Sequence, residues 1–236
     1  MEIKTYKKDF EYSYTLGAFP TIELLENHPN EVIDIYVHSS FSNKEIKERI
    51  LNLLNKNYLK NDKLIEKLSP KENCYIIGVF KKYTCELDTD KNHLLLDNPA
   101  NMGNLGTIIR SSLGFNINNV AIIRPGVDIF DPKVIRASMG SIFSVNIKYY
   151  NSIEEYRDEF QDHTIFAFML KAKKSLQTCT FPKNLSTLAF GNEATGLPDK
   201  YLDDNSIIIN HSKKIDSLNI TNAVSIALYE FDKQIS

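Results

Sequence analysis

The sequence predicts an α/β protein in which a small α/β unit precedes a parallel sheet with helices on both faces. Three observations support this fold class. Apolar strand patterns alternate with helix patterns through the second half of the 236-residue chain, as they do in β-α-β units. A shorter set of strand and helix patterns fills the first half. The polar segment 81–92 separates the two sets, and we therefore divide the chain into domains 1–85 and 86–236.

The first half contains two predicted helices and two predicted strands. Apolar residues that recur every three or four positions between charges predict helices, and short β-branched runs predict strands. The helices are predicted at residues 21–25 and 44–55, and the strands at residues 31–38 and 74–80.

The second half is more regular. Strands are predicted at residues 93–97, 119–123, 143–147, 164–169, 185–190 and 206–209, and helices at residues 104–115, 134–141, 153–160 and 217–231. In open parallel sheets, ligands bind beyond the carboxyl ends of the strands. Three segments rich in Gly, Asn and Ser lie at such positions, and we expect the chemistry there.

Composition narrows the class of protein. No apolar run reaches eighteen residues, and the charged N-terminus lacks the apolar stretch of a signal peptide. The three cysteines are odd in number and far apart, which indicates reduced thiols and a cytoplasmic protein. The five histidines show no metal-ligand spacing, so no metal is expected. The net charge is −2, and neither half is basic, so RNA binding would have to rely on local patches.

The first polar segment covers residues 97–110 and includes Asn104 and Arg110. An ordinary strand-turn-helix with an Asn cap explains it equally well. A dinucleotide loop is a weaker explanation, because the third glycine is missing and the next strand ends on Arg124 instead of an acidic residue. Arg110, on a helix whose other face is apolar, suggests a bound anion such as phosphate.

The second and third segments are ambiguous when taken singly. Residues 189–198 place Gly191 directly after an apolar strand, where a ligand could approach the backbone, and Glu193 in a tight turn. A plain Gly-rich turn with an exposed Glu would look the same. Residues 216–230 open a helix with Ser217, Leu218 and Asn219, and Ser217 or Asn219 could simply cap that helix.

Together and in this order, the segments resemble the motifs of the SpoU (TrmH-type) RNA methyltransferases of the SPOUT superfamily. The resemblance spans residues 93–232. It rests on N-x-G-N-L-G-T-I-I-R at residues 101–110, G-N-E-A-T-G-L at 191–197 and S-L-N at 217–219, with R-A-S-M-G at 136–140 in support.

The resemblance implies a deep trefoil knot at about residues 185–236 and a homodimer formed through it, each site borrowing from the partner. It implies an enzyme that transfers a methyl group from S-adenosylmethionine to a ribose 2′-hydroxyl of RNA, with rRNA favoured over tRNA. The residues that it assigns to cofactor binding are Gly191, Ile209, Leu218 and Ser217. Those that it assigns to catalysis are Arg110, Asn104, Glu193 and Asn219.

One segment departs from the family pattern, and the N-terminal part of the chain has a second, less specific resemblance. The family's Ile-Pro-Met is replaced by Ile209-Asn210-His211, which is expected to loosen the cofactor loop, with His211 packing in place of Met. Residues 17–37 resemble the small α/β RNA-binding domain that some SpoU enzymes share with ribosomal proteins. Plain α/β packing is the alternative there.

Arg110 is implied to touch the reacting hydroxyl, either as base or as a charge that stabilises the developing alkoxide. A guanidinium stays protonated under ordinary protein conditions, which favours the second role. Two other functions remain open. A nicotinamide-dependent oxidoreductase would explain the α/β alternation but not the second and third motifs. A non-catalytic RNA-binding factor would be expected to have lost Arg110, Glu193 and Asn219.

Overall fold

The computed structural model describes residues 2–54, 57–69 and 73–235. The helices, in chain order, are α1 (Ala18–Asn27), α2 (Lys44–Leu54), α3 (Asp62–Leu68), α4 (Met102–Gly114), α5 (Pro132–Ala137), α6 (Ile153–Glu159) and α7 (Ile220–Ile235). The strands are β1 (Tyr12–Tyr14), β2 (Val32–Val37), β3 (Ile76–Lys81), β4 (His93–Asp97), β5 (Asn119–Ile123), β6 (Asn146–Tyr150), β7 (Thr164–Ala167), β8 (Lys174–Ser175), β9 (Ser186–Phe190) and β10 (Ile207–Ile208).

The chain forms two compact units. Unit 1 consists of Met1–Tyr83 with Asp128–Ser144, and unit 2 consists of Thr84–Val127 with Val145–Ser236. The first division falls close to residue 85, but a single cut there does not describe the chain, because a second segment of 17 residues also groups with unit 1.

Unit 1 contains an antiparallel sheet in the order β1-β3-β2. Successive side chains of a strand point to opposite faces, and β3 uses both of them. Ile76 packs with residues of α1 and α2 on one face, and Ile77 packs with residues of α3 on the other. Strand β1 and helix α3 were not predicted. The predicted end of α2, Asn55, lies outside the described residues.

The segment Asp128–Ser144 is held in unit 1 by side-chain and backbone contacts. Ser13 Oγ donates to the carbonyl of Phe130 at 2.5 Å, and Lys82 forms a 3.2 Å salt bridge with Asp128. Gly140 has a φ of +91°, and a Cβ there would lie 2.8 Å from Pro20 Cα. The glycine of the R-A-S-M-G segment is therefore required by a close approach of backbone as well as by its conformation.

Two predictions for this stretch were wrong in their bounds. The helix predicted at 134–141 ends at Ala137, because Met139 and Gly140 both adopt positive φ. The strand predicted at 143–147 begins only at Asn146, because Ser141–Ser144 form a 3-10 turn.

Unit 2 contains a five-stranded sheet in the order β6-β5-β4-β9-β7, with every neighbouring pair parallel. The bounds of β4 and β5 are those predicted. The predicted strand at 206–209 is not one of the five strands of this sheet: β10 pairs with β8 in a two-stranded ladder, and an isolated parallel bridge connects Ile207 to Phe168, directly after β7. The segment 81–92 is only partly a linker, because Leu87 lies in the core of unit 2.

The amino end of the sheet holds a network of hydrogen-bonded polar side chains. The hydroxyl of Tyr156 lies 2.8 Å from His93 Nδ1 and 2.7 Å from Thr187 Oγ1, and His163 Nδ1 lies 2.9 Å from the same Thr187 atom. His93 Nε2 is 2.8 Å from the carbonyl of Asp88. Burial lowers the pKa of His93 to about 4, so the ring is neutral near pH 7.

Within the described ranges, no helix combines the length and apolar character needed to cross a membrane. The same residues contain no grouping of three or more His, Cys, Asp or Glu that could hold a metal ion.

Candidate functional site

A cavity of about 460 Å³ opens in unit 2 beyond the carboxyl ends of β7, β9 and β10. Its volume lies within the range of small-molecule sites. Four stretches of chain supply its wall. The lining residues are Phe168, Met169, Leu170, Lys171, Phe190, Gly191, Asn192, Glu193, Ala194, Thr195, Gly196, Leu197, Pro198, Asp199, Ile208, Ile209, His211, Ser217, Leu218, Ile220 and Ala223.

The turn after β9 is built around Gly191. A Cβ on Gly191 would lie 2.1 Å from the carbonyl carbon of Gly196 and 2.2 Å from the nitrogen of Leu197, so no larger residue fits. The N–H of Gly196 donates to the carbonyl of Asn192 at 2.9 Å, and Gly196 has a φ of +68°. The two glycines let residues 191–197 fold back on themselves at the mouth of the cavity.

Asn192 fixes this turn from both sides. Its side-chain oxygen accepts from the N–H groups of Ala194 and Thr195, at 2.9 and 3.3 Å. Its side-chain nitrogen donates to the carbonyl of Asn98 at 2.8 Å, which ties the turn to the loop after β4. Sequence reasoning did not single out Asn192, although an Asn directly after a strand-ending glycine is a typical turn-forming residue.

Glu193 joins the second motif to the first. Its carboxylate accepts from the N–H groups of Ala100 and Asn101, both at 3.1 Å, and from Asn104 Nδ2 at 3.2 Å. Burial alone would raise the pKa of Glu193, but these hydrogen bonds and one from its own N–H outweigh it and lower the pKa below the ordinary value. The side chain is therefore ionised near pH 7 and joins the loop after β9 to the loop after β4. We call this set of hydrogen bonds that Glu193 accepts from Ala100, Asn101 and Asn104 the clasp.

Helix α4 begins at this clasp. Asn101 is its N-cap, with its side-chain oxygen accepting from the N–H of Asn104 at 3.0 Å. Asn104 in turn points its amide at Glu193. Of the predicted catalytic residues, Asn104 and Glu193 are thus brought into direct contact.

All four residues predicted to bind the cofactor line the cavity: Gly191, Ile209, Leu218 and Ser217. Leu218 stands out, because neither its N–H nor its carbonyl has a hydrogen-bond partner in the part of the chain that the structure describes. Both groups are available to a ligand.

The loop that lacks the family's proline is held by side chains instead. Asn210 Nδ2 donates to Ser175 Oγ at 2.8 Å, and Gln177 Nε2 donates to the carbonyl of Asn210 at 3.4 Å. His211 lines the cavity, half-buried, with its Nδ1 2.9 Å from the carbonyl of Ile209.

Asn219 and Arg110 lie outside the cavity wall. The side-chain oxygen of Asn219 accepts from the N–H and hydroxyl of Thr221, at 2.9 and 2.6 Å, and its carbonyl accepts from Ala223 N–H. It therefore caps α7, the alternative left open for the third motif. Arg110 is exposed and lies six residues along α4 from Asn104, a rise of about 9 Å.

Two aromatic rings of the cavity were not anticipated. Phe168 and Phe190 follow or end neighbouring strands and stack with their centroids 4.5 Å apart. Both were assigned to strands, where an aromatic residue is expected for packing alone. Only the parallel pairing of β7 with β9 brings them together.

Comparison with known proteins gives consistent matches. The chain is 31% identical over 149 residues to the 23S rRNA (uridine(2479)-2′-O)-methyltransferase of Streptomyces viridochromogenes, a match that covers 60% of this chain and 52% of that protein. The chain spans about half the length of this and another curated relative that it matches.

Two solved structures extend the comparison. The SpoU methyltransferase AviRb from Streptomyces viridochromogenes, in complex with the cofactor AdoMet, has a TM-score of 0.82 at 22% identity, covering 95% of this chain and 90% of that one. A structure that addresses the 2-OH methylation of C/U34 on tRNA has a TM-score of 0.57 at 26% identity, covering 63% and 98%. The first of these likenesses concerns the fold of nearly the whole chain.

A sequence model of the SpoU rRNA Methylase family matches residues 91–229, more than half of the chain. That stretch contains every residue of the cavity wall and the clasp formed by Glu193. The chain belongs to the SpoU rRNA methylase family.

Proposed function

We propose that this protein transfers a methyl group from S-adenosylmethionine to a ribose 2′-hydroxyl of structured RNA. One observation carries the proposal: the four residues assigned to the cofactor line a single cavity, and Glu193 on its wall hydrogen-bonds the loop of the first motif. The family and the AdoMet complex of a protein with the same fold support the choice of cofactor.

The donor set of the cavity suits this cofactor. Leu218 offers an N–H and a carbonyl that have no partner among the described residues, and the stacked rings of Phe168 and Phe190 offer an apolar wall for a purine. When bound, S-adenosylmethionine supplies a methyl group that is already electrophilic, so the reaction calls for no metal. The protein must then place the ribose and manage one proton, and orientation alone can lower a barrier by roughly 7–11 kcal/mol.

Arg110 is proposed to act on the RNA by charge. Its exposed guanidinium would stabilise the developing alkoxide and the adjacent phosphate. Asn104 and Glu193 would hold the start of α4, and hence Arg110, in place. Asn219 would act through the start of α7. In this proposal Arg110 serves the cavity of a partner subunit, because it lies outside the cavity wall of its own chain.

A homodimer formed through a knotted C-terminal segment, residues 185–236, is part of the proposal. The exposed face of α7 supports it: Ile226 is 43% and Tyr229 is 59% exposed, unusual for apolar residues on a helix that packs against α4. Sedimentation velocity at micromolar concentration should give a dimer without RNA. A monomer would overturn this part.

The RNA is proposed to be ribosomal, with tRNA second, in the cytoplasm. The AviRb fold covers 95% of this chain, whereas the tRNA-related structure covers 63%, which supports a role that needs both units. The domain at residues 1–85 is proposed to select the substrate by shape and local Lys residues. Three unpaired cysteines fit a reducing compartment.

Calorimetry tests the cofactor. S-adenosylhomocysteine should bind in the presence of EDTA, and NADH should not. Tight NADH binding would favour the oxidoreductase, and no binding of either would favour a non-catalytic RNA-binding factor. Methylation mapping of ribosomal and transfer RNA from a deletion strain then identifies the nucleotide.

A mixed-dimer experiment tests whether Arg110 acts across subunits. Arg110→Ala and Leu218→Glu are each expected to be inactive alone, the second because a charge enters the cavity. If Arg110 serves the partner's cavity, a mixed dimer has one intact site, and random exchange should restore about a quarter of wild-type activity. No recovery, with heterodimers demonstrated by tagged subunits, would place Arg110 in its own subunit's site.

A further inference from the structure

Arg124 is an exposed cation at the carboxyl end of the sheet that belongs to none of the family motifs. It follows β5 directly, and its N–H donates to the carbonyl of Tyr150 at 2.9 Å. Its guanidinium carbon lies 4.6 Å from the ring centroid of Tyr149. No carboxylate of the described ranges forms a salt bridge with it.

Tyr149 is itself anchored. Its hydroxyl donates to the carbonyl of Val127 at 2.7 Å, and the N–H of Val127 donates to the carbonyl of Pro99 at 3.0 Å. A Cβ on Gly126 would lie 3.5 Å from Pro99 Cδ. The turn at residues 124–127 is therefore bonded to the same loop whose next N–H groups bind Glu193.

The position of Arg124 relative to the cavity follows from the strand register. Ile123 pairs with Asp97 on β4, and Leu96 pairs with Phe190 on β9. With neighbouring strands about 4.8 Å apart, Arg124 stands two strands, or about 10 Å, from the turn that begins at Gly191. It faces the same end of the sheet as the cavity.

We propose that Arg124 binds a backbone phosphate of the RNA beside the reacting ribose and that Tyr149 positions it, an inference that rests on the proposed function. A guanidinium stacked on a ring keeps the N–H donors of its edge in a planar fork that fits phosphate. Its orientation is already fixed, so little side-chain entropy is lost on binding. A chain with a net charge of −2 depends on such fixed cations, because bulk attraction is absent.

Steady-state kinetics on total RNA from a deletion strain, with radiolabelled S-adenosylmethionine, test the inference. Arg124→Ala should raise the KM for RNA about tenfold or more, as expected for a lost charge-assisted contact, with kcat within twofold. S-adenosylhomocysteine affinity and Tm should not change. Lys183→Ala, which removes an exposed cation at the amino end of the same sheet, is the matched control and should match wild type.

The salt dependence separates a phosphate contact from a structural role. Loss of one phosphate contact should reduce the magnitude of the slope of log kcat/KM against log salt concentration by about 0.7, the value per phosphate for single strands. Tyr149→Leu should raise KM by a smaller factor, and Tyr149→Phe, which keeps the ring, should have the smallest effect. Arg124→Lys should recover the salt slope but not the full KM.

Different results would contradict the role of Arg124 and the proposed methyltransferase function. Wild-type protein that methylates no RNA would defeat the proposed function. Active wild type together with an Arg124→Ala enzyme of unchanged KM and salt slope would overturn the role of Arg124 alone. A fall in S-adenosylhomocysteine affinity or Tm that accounts for the loss of activity would also overturn it, because Arg124 would then be structural.

Discussion

The two ends of the parallel sheet in unit 2 are both polar, but their polar groups have different partners. At the amino end, His93, Tyr156, Thr187 and His163 hydrogen-bond one another in a buried network. At the carboxyl end, the polar groups either brace loops, as Glu193 does, or face the cavity, as the backbone of Leu218 does. A buried cluster of titratable groups is thus not enough to mark a site. Groups left without a protein partner at a cavity are the better indicator.

The largest expected contrast is between removing Arg110 on α4 and removing Lys183 at the amino end of the sheet. Arg110→Ala should lower kcat by roughly 10²-fold, the usual cost of losing one group that stabilises developing charge, while fold and S-adenosylhomocysteine affinity stay near wild type. Lys183→Ala should leave kcat unchanged. For both variants, single-turnover methylation measures the rate of methyl transfer, and calorimetry on the same preparations measures the affinity for S-adenosylhomocysteine. An Arg110→Ala enzyme that keeps more than a tenth of wild-type kcat would show that the residue is structural.

Gly191→Ala tests the turn at the carboxyl end. The added Cβ would meet backbone atoms at 2.1 Å, so residues 191–197 must shift, and S-adenosylhomocysteine affinity should fall at least tenfold. Gly114→Ala is the control, because a Cβ there meets nothing within 4 Å. Unchanged affinity in Gly191→Ala would mean that the turn does not shape the cofactor site.

His93 at the amino end should contribute to the pH dependence of stability. The pKa of His93 is about 4 in the folded protein and about 6.5 unfolded. The unfolded state therefore takes up a proton first as the pH falls, and stability is lost between pH 6.5 and 4. The loss attributable to His93 is about 3 kcal/mol. Urea unfolding of wild type and His93→Gln from pH 7 to 4 checks this, and parallel curves for the two proteins would contradict it.

The smallest expected effect is Tyr156→Phe. The hydroxyl bridges His93 and Thr187, so its loss leaves two buried groups with one partner fewer and should cost about 1–3 kcal/mol of unfolding free energy. Cofactor affinity should stay at the wild-type value. A change in affinity larger than the change in stability would indicate that the two ends are coupled.

Several structural features that depend on a short stretch of sequence were predicted correctly, whereas several that depend on distant residues were not. β4 and β5 were predicted at their observed bounds because each is a continuous apolar run between turn residues. The cofactor residues were assigned through motif resemblance, and they line one cavity. β8 and β10 were missed or misplaced, because two-residue strands pair across more than thirty positions. The exposed position of Arg110 likewise depends on how α4 packs, and no pattern of spacing contains that information.

The same limit applies to residues 128–144. They follow two strands of unit 2 in sequence, and nothing local tells them apart from a β-α-β crossover. Their contacts are with Ser13, Pro20 and Lys82. Removing residues 1–85 would strip this segment of its packing partners, so point variants are a cleaner test of the first domain than truncation.

The division of unit 1 into two stretches of chain also bears on biosynthesis. As the polypeptide leaves the ribosome, residues 1–83 emerge before the rest of their unit, which follows only after β4, α4 and β5 have been made. The nascent N-terminal portion must therefore wait, incomplete, through the synthesis of about 44 further residues. A protease that cuts between the units at residue 84 would likewise not release unit 1, because residues 128–144 remain covalently part of the longer fragment.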